Sequence, residues 1–343
     1  MGSAALASCF VWDDLGQVRW AGLEHNYGTA EDVPGLLRAC AGRDAEAAAV
    51  AVDKLDNVLY HQGGWVCPAA SAALPFLVRL AAGPQVRVRV PVLELIASIA
   101  ELVPRVSPRR VDPGWAAALE AASPALLSLL DDADPVMRRA AAYLAGAGGL
   151  APDLVIPALR ARFLAEPDRA ARWDVVISLG AAAAGSDRAG DVRDELSAIA
   201  QSGQDPQLRL AAVHGLAEAG EPVTGQVGLM TGAMADAGWT GWQQSRWLGG
   251  VHRAGIVPGT GRLLLGEPAA AAAFAEGVSK AGDARQRTAV LGHMGALLDR
   301  WWSRSPGART RRELVRLAYR GARRGHQCGL RARRRMQGRA GNR

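Results

Sequence analysis

Four times along this chain a proline opens a stretch of amphipathic helix, and that recurrence constrains the fold more than any other feature. The segments read Gly83-Pro84-Gln85-Val86-Arg87, Asp134-Pro135-Val136-Met137-Arg138, Glu166-Pro167-Asp168-Arg169 and Asp205-Pro206-Gln207-Leu208-Arg209. Their prolines lie 51, 32 and 39 residues apart. The wide first gap holds Pro104, Pro108 and Pro113 in a basic, turn-prone insertion, so a period of ~35–40 residues runs through the series. An acidic residue before the proline can cap the free amide donors of the first helical turn. Proline itself costs little at the first helical position, where its missing donor would be unpaired anyway. The helix opened by Pro135 sets Met137, Ala140, Ala141 and Leu144 on one stripe, and the one opened by Pro206 does so with Leu208, Ala211, Ala212 and Leu216. The small alanines in mid-helix allow close approach of a neighbouring layer.

Each of these helices follows another apolar one: Leu74–Leu80, Ala125–Leu130, Leu154–Leu164 and Val192–Ala200. The unit is helix, short turn, helix. An earlier copy fits Asp32–Cys40 and Asp44–Tyr60; weaker later ones span 224–254 and 267–302. No strand-like alternation of useful length occurs, so the expected fold class is all-α.

The run of Asp-Pro, an apolar residue, Arg, paired alanines and Leu in Asp134–Leu144 and Asp205–Leu216 resembles the HEAT repeat. The resemblance covers 32–220 well and 224–302 loosely. His61-Gln62-Gly63-Gly64 followed by Ala72–Leu77 also looks like the opening repeats of bacterial HEAT-like proteins. Two places depart from the pattern. Pro91 sits inside the expected second helix and should kink or restart it, and Ala170-Ala171-Arg172-Trp173 lacks the Arg-then-Ala-Ala spacing. The resemblance implies a right-handed α-solenoid of about six to seven stacked helix pairs. The expected organisation is a lead-in over 1–31, a repeat core over 32–220, divergent helical repeats over 221–305 and a basic Arg/Gly-rich tail over 306–343, largely disordered after 324. HEAT resemblance implies no single activity.

Charge is unevenly distributed. The 343 residues carry a formal charge of +7, yet residues 301–343 alone hold 14 arginines and one acid, a local balance of +13 that leaves −6 on the first 300. Arginine outnumbers lysine 38 to 2 with abundant Ala and Gly, which fits a high-GC bacterial genome and takes functional weight off the arginine count. Apolar residues make up 49% without a run of ~18, so no transmembrane helix is expected. Cys9, Cys40, Cys67 and Cys328 are scattered, which indicates neither a zinc site nor a disulfide framework and fits reduced thiols in the cytoplasm. Leu6-Ala7-Ser8-Cys9 looks like a lipobox, but no Lys or Arg precedes it and the apolar stretch is short, so a signal peptide is not expected.

Candidate chemistry is sparse, and no catalytic, cofactor-binding or metal-ligating residue is assigned. Pro258–Leu263 looks faintly like a P-loop but has Ile256, Arg262 and Leu263 where that loop needs Gly, Lys and Ser/Thr. His25-Asn26-Tyr27 and Tyr60-His61 with Trp65 and Cys67 are the densest polar clusters. A His61–Cys67 thiolate–imidazole pair is one reading and a turn between repeats the other. His214 and His293 are single histidines on separate helices, not a metal set. Trp239, Trp242, Trp247, Trp301 and Trp302 hold half the tryptophans, either as core of divergent repeats or as an aromatic hot spot.

In a HEAT-like solenoid the second helices commonly line the concave face. Residues off their apolar stripe are therefore the candidate partner-binding set: Asp53, Asn57, Tyr60, Arg139, Tyr143, Asp174, His214 and Glu218. Both charge signs are present, which suits a protein partner better than a phosphate backbone. The tail offers a basic amphipathic helix over Thr310–Arg324, with Arg312, Arg316, Arg320, Arg323 and Arg324 as an anion-binding set for nucleic acid or an anionic surface. The expected function is a non-enzymatic cytoplasmic scaffold or adaptor for an unknown protein partner. The alternative is nucleic-acid binding through the tail; a HEAT-like enzyme such as a glycosylase or bilin lyase is the third reading.

Overall fold

A computed structural model describes residues 12, 14–61, 63–236, 241–243, 245–248, 259–261, 263–264 and 268–281. The described chain is mostly helical, with neighbouring helices packed together. Among the described residues no helix is long and apolar enough to cross a membrane. Two compact units emerge, Met1–Glu166 and the chain from Pro167 onward.

The first unit begins with three short turns of 3-10 helix and a two-residue hairpin, β1 (Glu24–His25) against β2 (Gly28–Thr29). Its helices are α1 (Val33–Cys40), α2 (Ala45–Leu59), α3 (Pro68–Ala82), α4 (Arg89–Leu102), α5 (Trp115–Ser128), α6 (Pro135–Ala147) and α7 (Pro152–Ala165). They pack by alternation: α1 touches α3 and α3 touches α5, while α2 touches α4 and α4 touches α6. The cross-contacts α1·α2, α3·α4 and α5·α6 join the two series into pairs. Leu37, Leu55, Leu59, Leu74, Leu77 and Trp115 are fully buried in this unit. The lead-in is tied to α3, where Phe76 meets Trp12 and Trp20 at ring-centroid distances of 6.2 and 6.1 Å. Arg79 lies 4.6 Å over the same Phe76 ring and pairs with Asp14.

The second unit contains α8 (Arg169–Ala183), α9 (Ala189–Ser202), α10 (Pro206–Glu218), α11 (Val227–Ala235) and α12 (Pro268–Ala281). Here α8 packs on both α9 and α10, α10 on α9 and α11, and α11 on α12. The α8–α10 approach is very close. A Cβ on Gly180 would lie 2.0 Å from the Gly215 carbonyl oxygen, and one on Gly215 would lie 2.9 Å from that of Val176. Close approach was expected from paired alanines, but the contact is made by these two glycines.

Helix starts follow local chemistry. Aspartates Asp44, Asp134, Asp168 and Asp205 cap α2, α6, α8 and α10, accepting from the backbone N–H groups of Glu46, Val136, Ala171 and Gln207 at 2.8–2.9 Å. Two starts differ from the sequence expectation. The helix expected at Pro84 begins at Arg89 instead, which leaves Pro91 in the first turn, where its missing donor costs nothing. The helix expected after Glu166-Pro167 is capped by Asp168, because Glu166 is turned inward and is fully buried. Proline also sits inside α3, α5 and α7 as Pro75, Pro124 and Pro157, each removing one ladder hydrogen bond from a first helix of a pair.

Candidate functional site

The second helices α6, α8 and α10 are packed on nearly all sides. Met137–Ala145 of α6, Trp173–Gly180 of α8 and Leu210–Leu216 of α10 are buried without interruption, the signature of a helix surrounded by protein rather than one with a solvent face. This decides where the eight candidate partner-binding residues lie. Asp53 and Asn57 on α2 are exposed, while Tyr60 and Glu218 are half-buried. Arg139, Tyr143, Asp174 and His214 are interior, at 6%, 2%, 1% and 4% exposure. A residue off the apolar stripe is outward-facing only if nothing packs on that side, and in α6, α8 and α10 something does. Arg312, Arg316, Arg320, Arg323 and Arg324 lie outside the described residues, as do Trp239, Trp301, Trp302, His293 and the Leu6–Cys9 segment.

An open face is found on α2. Glu46, Val50, Asp53 and Asn57 form an outward row at helical spacing. Between α1 and α2 runs a shallow cleft of about 450 Å³ with Leu36, Ala39, Ala47 and Val50 along it and Glu46 and Lys54 at its edge. At the far end of α2 the two polar clusters meet. The Asn26 backbone N–H and Nδ2 both donate to the Val58 carbonyl at 3.0 Å, which pins the hairpin to α2. His25 accepts the Tyr27 N–H on Nδ1 at 3.0 Å, so its proton is on Nε2, facing Asp32 at 3.1 Å. The chain then presents Tyr27, 62% exposed, with its Oη 2.7 Å from His61 Nδ1 and the two rings edge to face at 5.1 Å. His61 takes a left-handed conformation, φ 51°, that aims its ring at Tyr27.

That arrangement leaves no thiolate–imidazole pair. The His61 Nδ1 is engaged by Tyr27, while the buried Cys67 thiol donates to the Leu59 carbonyl at 3.7 Å. Burial pushes the Cys67 thiol up to about 11 and Cys40 up to about 12, so neither is an activated nucleophile at neutral pH. Among the described residues no three His, Cys, Asp or Glu side chains converge so as to hold a metal ion. The glycine-flanked Thr260, in the segment that looked faintly like a P-loop, is fully buried in a helical turn and bonds His214 Nε2 at 3.0 Å.

In the second unit the interior polar residues form a connected set that sequence reasoning assigned only in part. Trp173 and Trp242 stack at 4.8 Å, and Trp242 Nε1 donates to Gln207 Oε1 at 2.7 Å. Ser245 Oγ donates to Asp174 Oδ1 at 2.5 Å, and Trp247 Nε1 donates to Ser178 Oγ at 3.0 Å. Trp242 and Trp247 are thus buried, at 1% and 2% exposure. Ser178, Gln207 and Ser245 carried no sequence signal, because hydrogen-bonding partners 35–71 residues apart have no local pattern.

No protein-family model matches the chain, and no curated protein matches it.

Proposed function

We propose that this chain is a non-catalytic adaptor, built as a HEAT-like α-solenoid, that holds a partner protein on the outward side of α2 and the hairpin beside it. The alternating contacts α1·α3·α5 and α2·α4·α6, with cross-contacts pairing the series, support the repeat reading, since each repeat in such arrays buries its apolar faces against its neighbours. The observation that carries the partner reading is Tyr27. A large aromatic side chain, 62% exposed yet held by a hydrogen bond and an edge contact to His61, offers contact area at little entropic cost. The exposed Asp53 and Asn57 supply polar groups along the same helix, and such mixed surfaces favour proteins over phosphate backbones. Buried, unactivated Cys40 and Cys67 fit a reduced cytoplasmic setting better than thiol chemistry.

The test is capture from native lysate with the full chain as bait, against Tyr27→Ala and Asp53→Arg. Both sites are exposed, so both variants should keep the parent's thermal stability and lose the retained partner. Retention of every partner by both variants would overturn the assignment of this surface.

A further inference from the structure

One helix of the first unit turns an apolar row toward solvent. In α7, Leu154, Pro157, Ala161 and Leu164 are all exposed, and their spacing of three, four and three residues sets them on one side of the helix. Leu154 and Leu164 are 52% and 81% exposed, whereas every other described leucine before Pro167 is buried or half-buried. The opposite side of α7 carries the buried Val155, Ile156 and Leu159, and the helix rests on α6 and on the turn at Leu129–Asp131. Contiguous apolar rows at a protein surface mark contact sites. This row is also symmetric. Leu154 and Leu164 lie five residues to either side of position 159, and Pro157 and Ala161 lie two to either side. With two α7 helices antiparallel about a twofold axis at that position, each Leu154 meets the second copy's Leu164, and each Pro157 its Ala161. A twofold contact requires that reciprocity, because residue i meets j and j meets i. Long side chains then pair at the two ends and short ones in the middle, so the helices can approach closely along the whole row. A surface shaped for an unrelated partner has no reason to be palindromic.

We propose that the outward row of α7 is a self-association face, and that its occupant is α7 of a second copy of this chain, antiparallel about position 159. The size of the face sets the strength of the contact. A fourteen-residue helix is about 21 Å long, so the pairing covers roughly 400 Å² on each copy, against the ~800 Å² of a standard stable complex. The dimer is therefore reversible rather than obligate, and its population follows the concentration of the chain. This proposal stands apart from the α2 reading. Where both hold, the dimer presents the α2 surface twice, which favours a partner that is itself paired.

The experiment uses the full chain. In sedimentation velocity between about 1 and 200 μM, the weight-average coefficient of the parent should climb from that of a monomer toward that of a dimer. Leu164→Arg changes an exposed position, so it should keep the parent's thermal melting and weaken the dimer by about 10-fold or more. Register is read by disulfide trapping. Leu154→Cys and Leu164→Cys are prepared separately and mixed under a mild oxidant. The mixture should give a covalent dimer whose linkage, by peptide mapping, joins position 154 of one copy to position 164 of the other. Neither variant alone should link through its introduced thiol, since like positions lie about 15 Å apart in the antiparallel pair, beyond the reach of a disulfide. A parent that stays monomeric at the highest concentration overturns the proposal. So does a Leu164→Arg variant as dimeric as the parent, or a mixture without the 154–164 linkage.

Discussion

Asp205 serves three partners at once. It caps α10 through the Gln207 N–H, receives Arg169 through two nitrogens at 2.7 and 2.8 Å, and accepts the Trp173 indole N–H at 3.1 Å. Partial burial alone would raise its carboxyl, but Arg169, Trp173 and Gln207 outweigh that and hold it at about 2. The native carboxylate is therefore favoured over the unfolded one, a contribution fully present above the ordinary carboxylate pKa of 3.8 and lost as pH falls toward 2. Asp205→Asn should cost about 2 kcal/mol in urea unfolding at pH 7, and its difference from the parent should shrink between pH 4 and pH 2. A pH-independent difference would locate the effect elsewhere. The cap was legible from Asp-Pro; Arg169 and Trp173 were not, since they come from a preceding helix 36 and 32 residues away. Gly180 tells the same story. Nothing nearby in sequence marks it, yet the Gly215 carbonyl leaves no room for a methyl group. Gly180→Ala should destabilise by about 3 kcal/mol, because backbone cannot yield as a flexible side chain does, with thermal melting as the check. Cys67 should resist thiol labelling at pH 8 until denaturant is added, when read by peptide mapping of that residue. Rapid native labelling would contradict a thiol held near 11 by burial.

A recurring polar contact runs from the first turn of a second helix to an acidic residue further along the chain, always in one direction. Arg89 of α4 pairs with Asp132 in the turn before α6. Arg138 of α6 grips Glu166 before α8 at 2.6 and 2.8 Å. Arg169 of α8 grips Asp205 before α10, and Gln207 of α10 reaches Asp236 after α11 at 3.3 Å. Of the arginines at equivalent repeat positions, Arg87, Arg138 and Arg209, Arg138 takes part. Arg87 falls ahead of the late start of α4, and Arg209 donates to the Ala200 carbonyl of its own pair. Helix positions were readable because capping is local; the rungs were not, because the donor moves between the first and fourth helical position to suit each gap. Arg138–Glu166 is the most buried rung, with side chains 8% and 0% exposed, and Arg138 also donates to the Asp132 and Ala133 carbonyls. Arg138→Met takes the two-nitrogen partner from the buried Glu166 carboxylate, leaving it Arg162 at 3.4 Å, and should cost about 3 kcal/mol. The double variant Arg138→Met/Glu166→Met removes that buried carboxylate as well and should regain part of the loss in urea unfolding. If the double variant is as unstable as the single one, the backbone carbonyl bonds of Arg138 are the larger contribution.

For the molecule as a whole, the formal charge of +7 joins a first 300 residues at −6 to a final 43 at +13. Polyanion binding should therefore belong to the end of the chain. Removing residues 301–343 should abolish salt-sensitive retention on heparin, whereas retention surviving the truncation would relocate the anion site. The helical class of the fold was legible from caps and apolar stripes, while the degree to which α6, α8 and α10 are enclosed was not. Enclosure depends on what packs against the far side, and so a stripe that looked outward on Arg139, Tyr143, Asp174 and His214 was interior. The one-way rungs have a further consequence for how such a chain grows. The helices α4, α6 and α8 each carry a donor near their start for an acidic residue further along the chain, like links with a hook at one end and an eye at the other. A tandem duplication of residues 135–168 would copy both, so the new link would find a mate on either side. One that cut between Arg138 and Glu166 would leave two hooks or two eyes facing, and an inserted copy of that kind should be lost from its descendants.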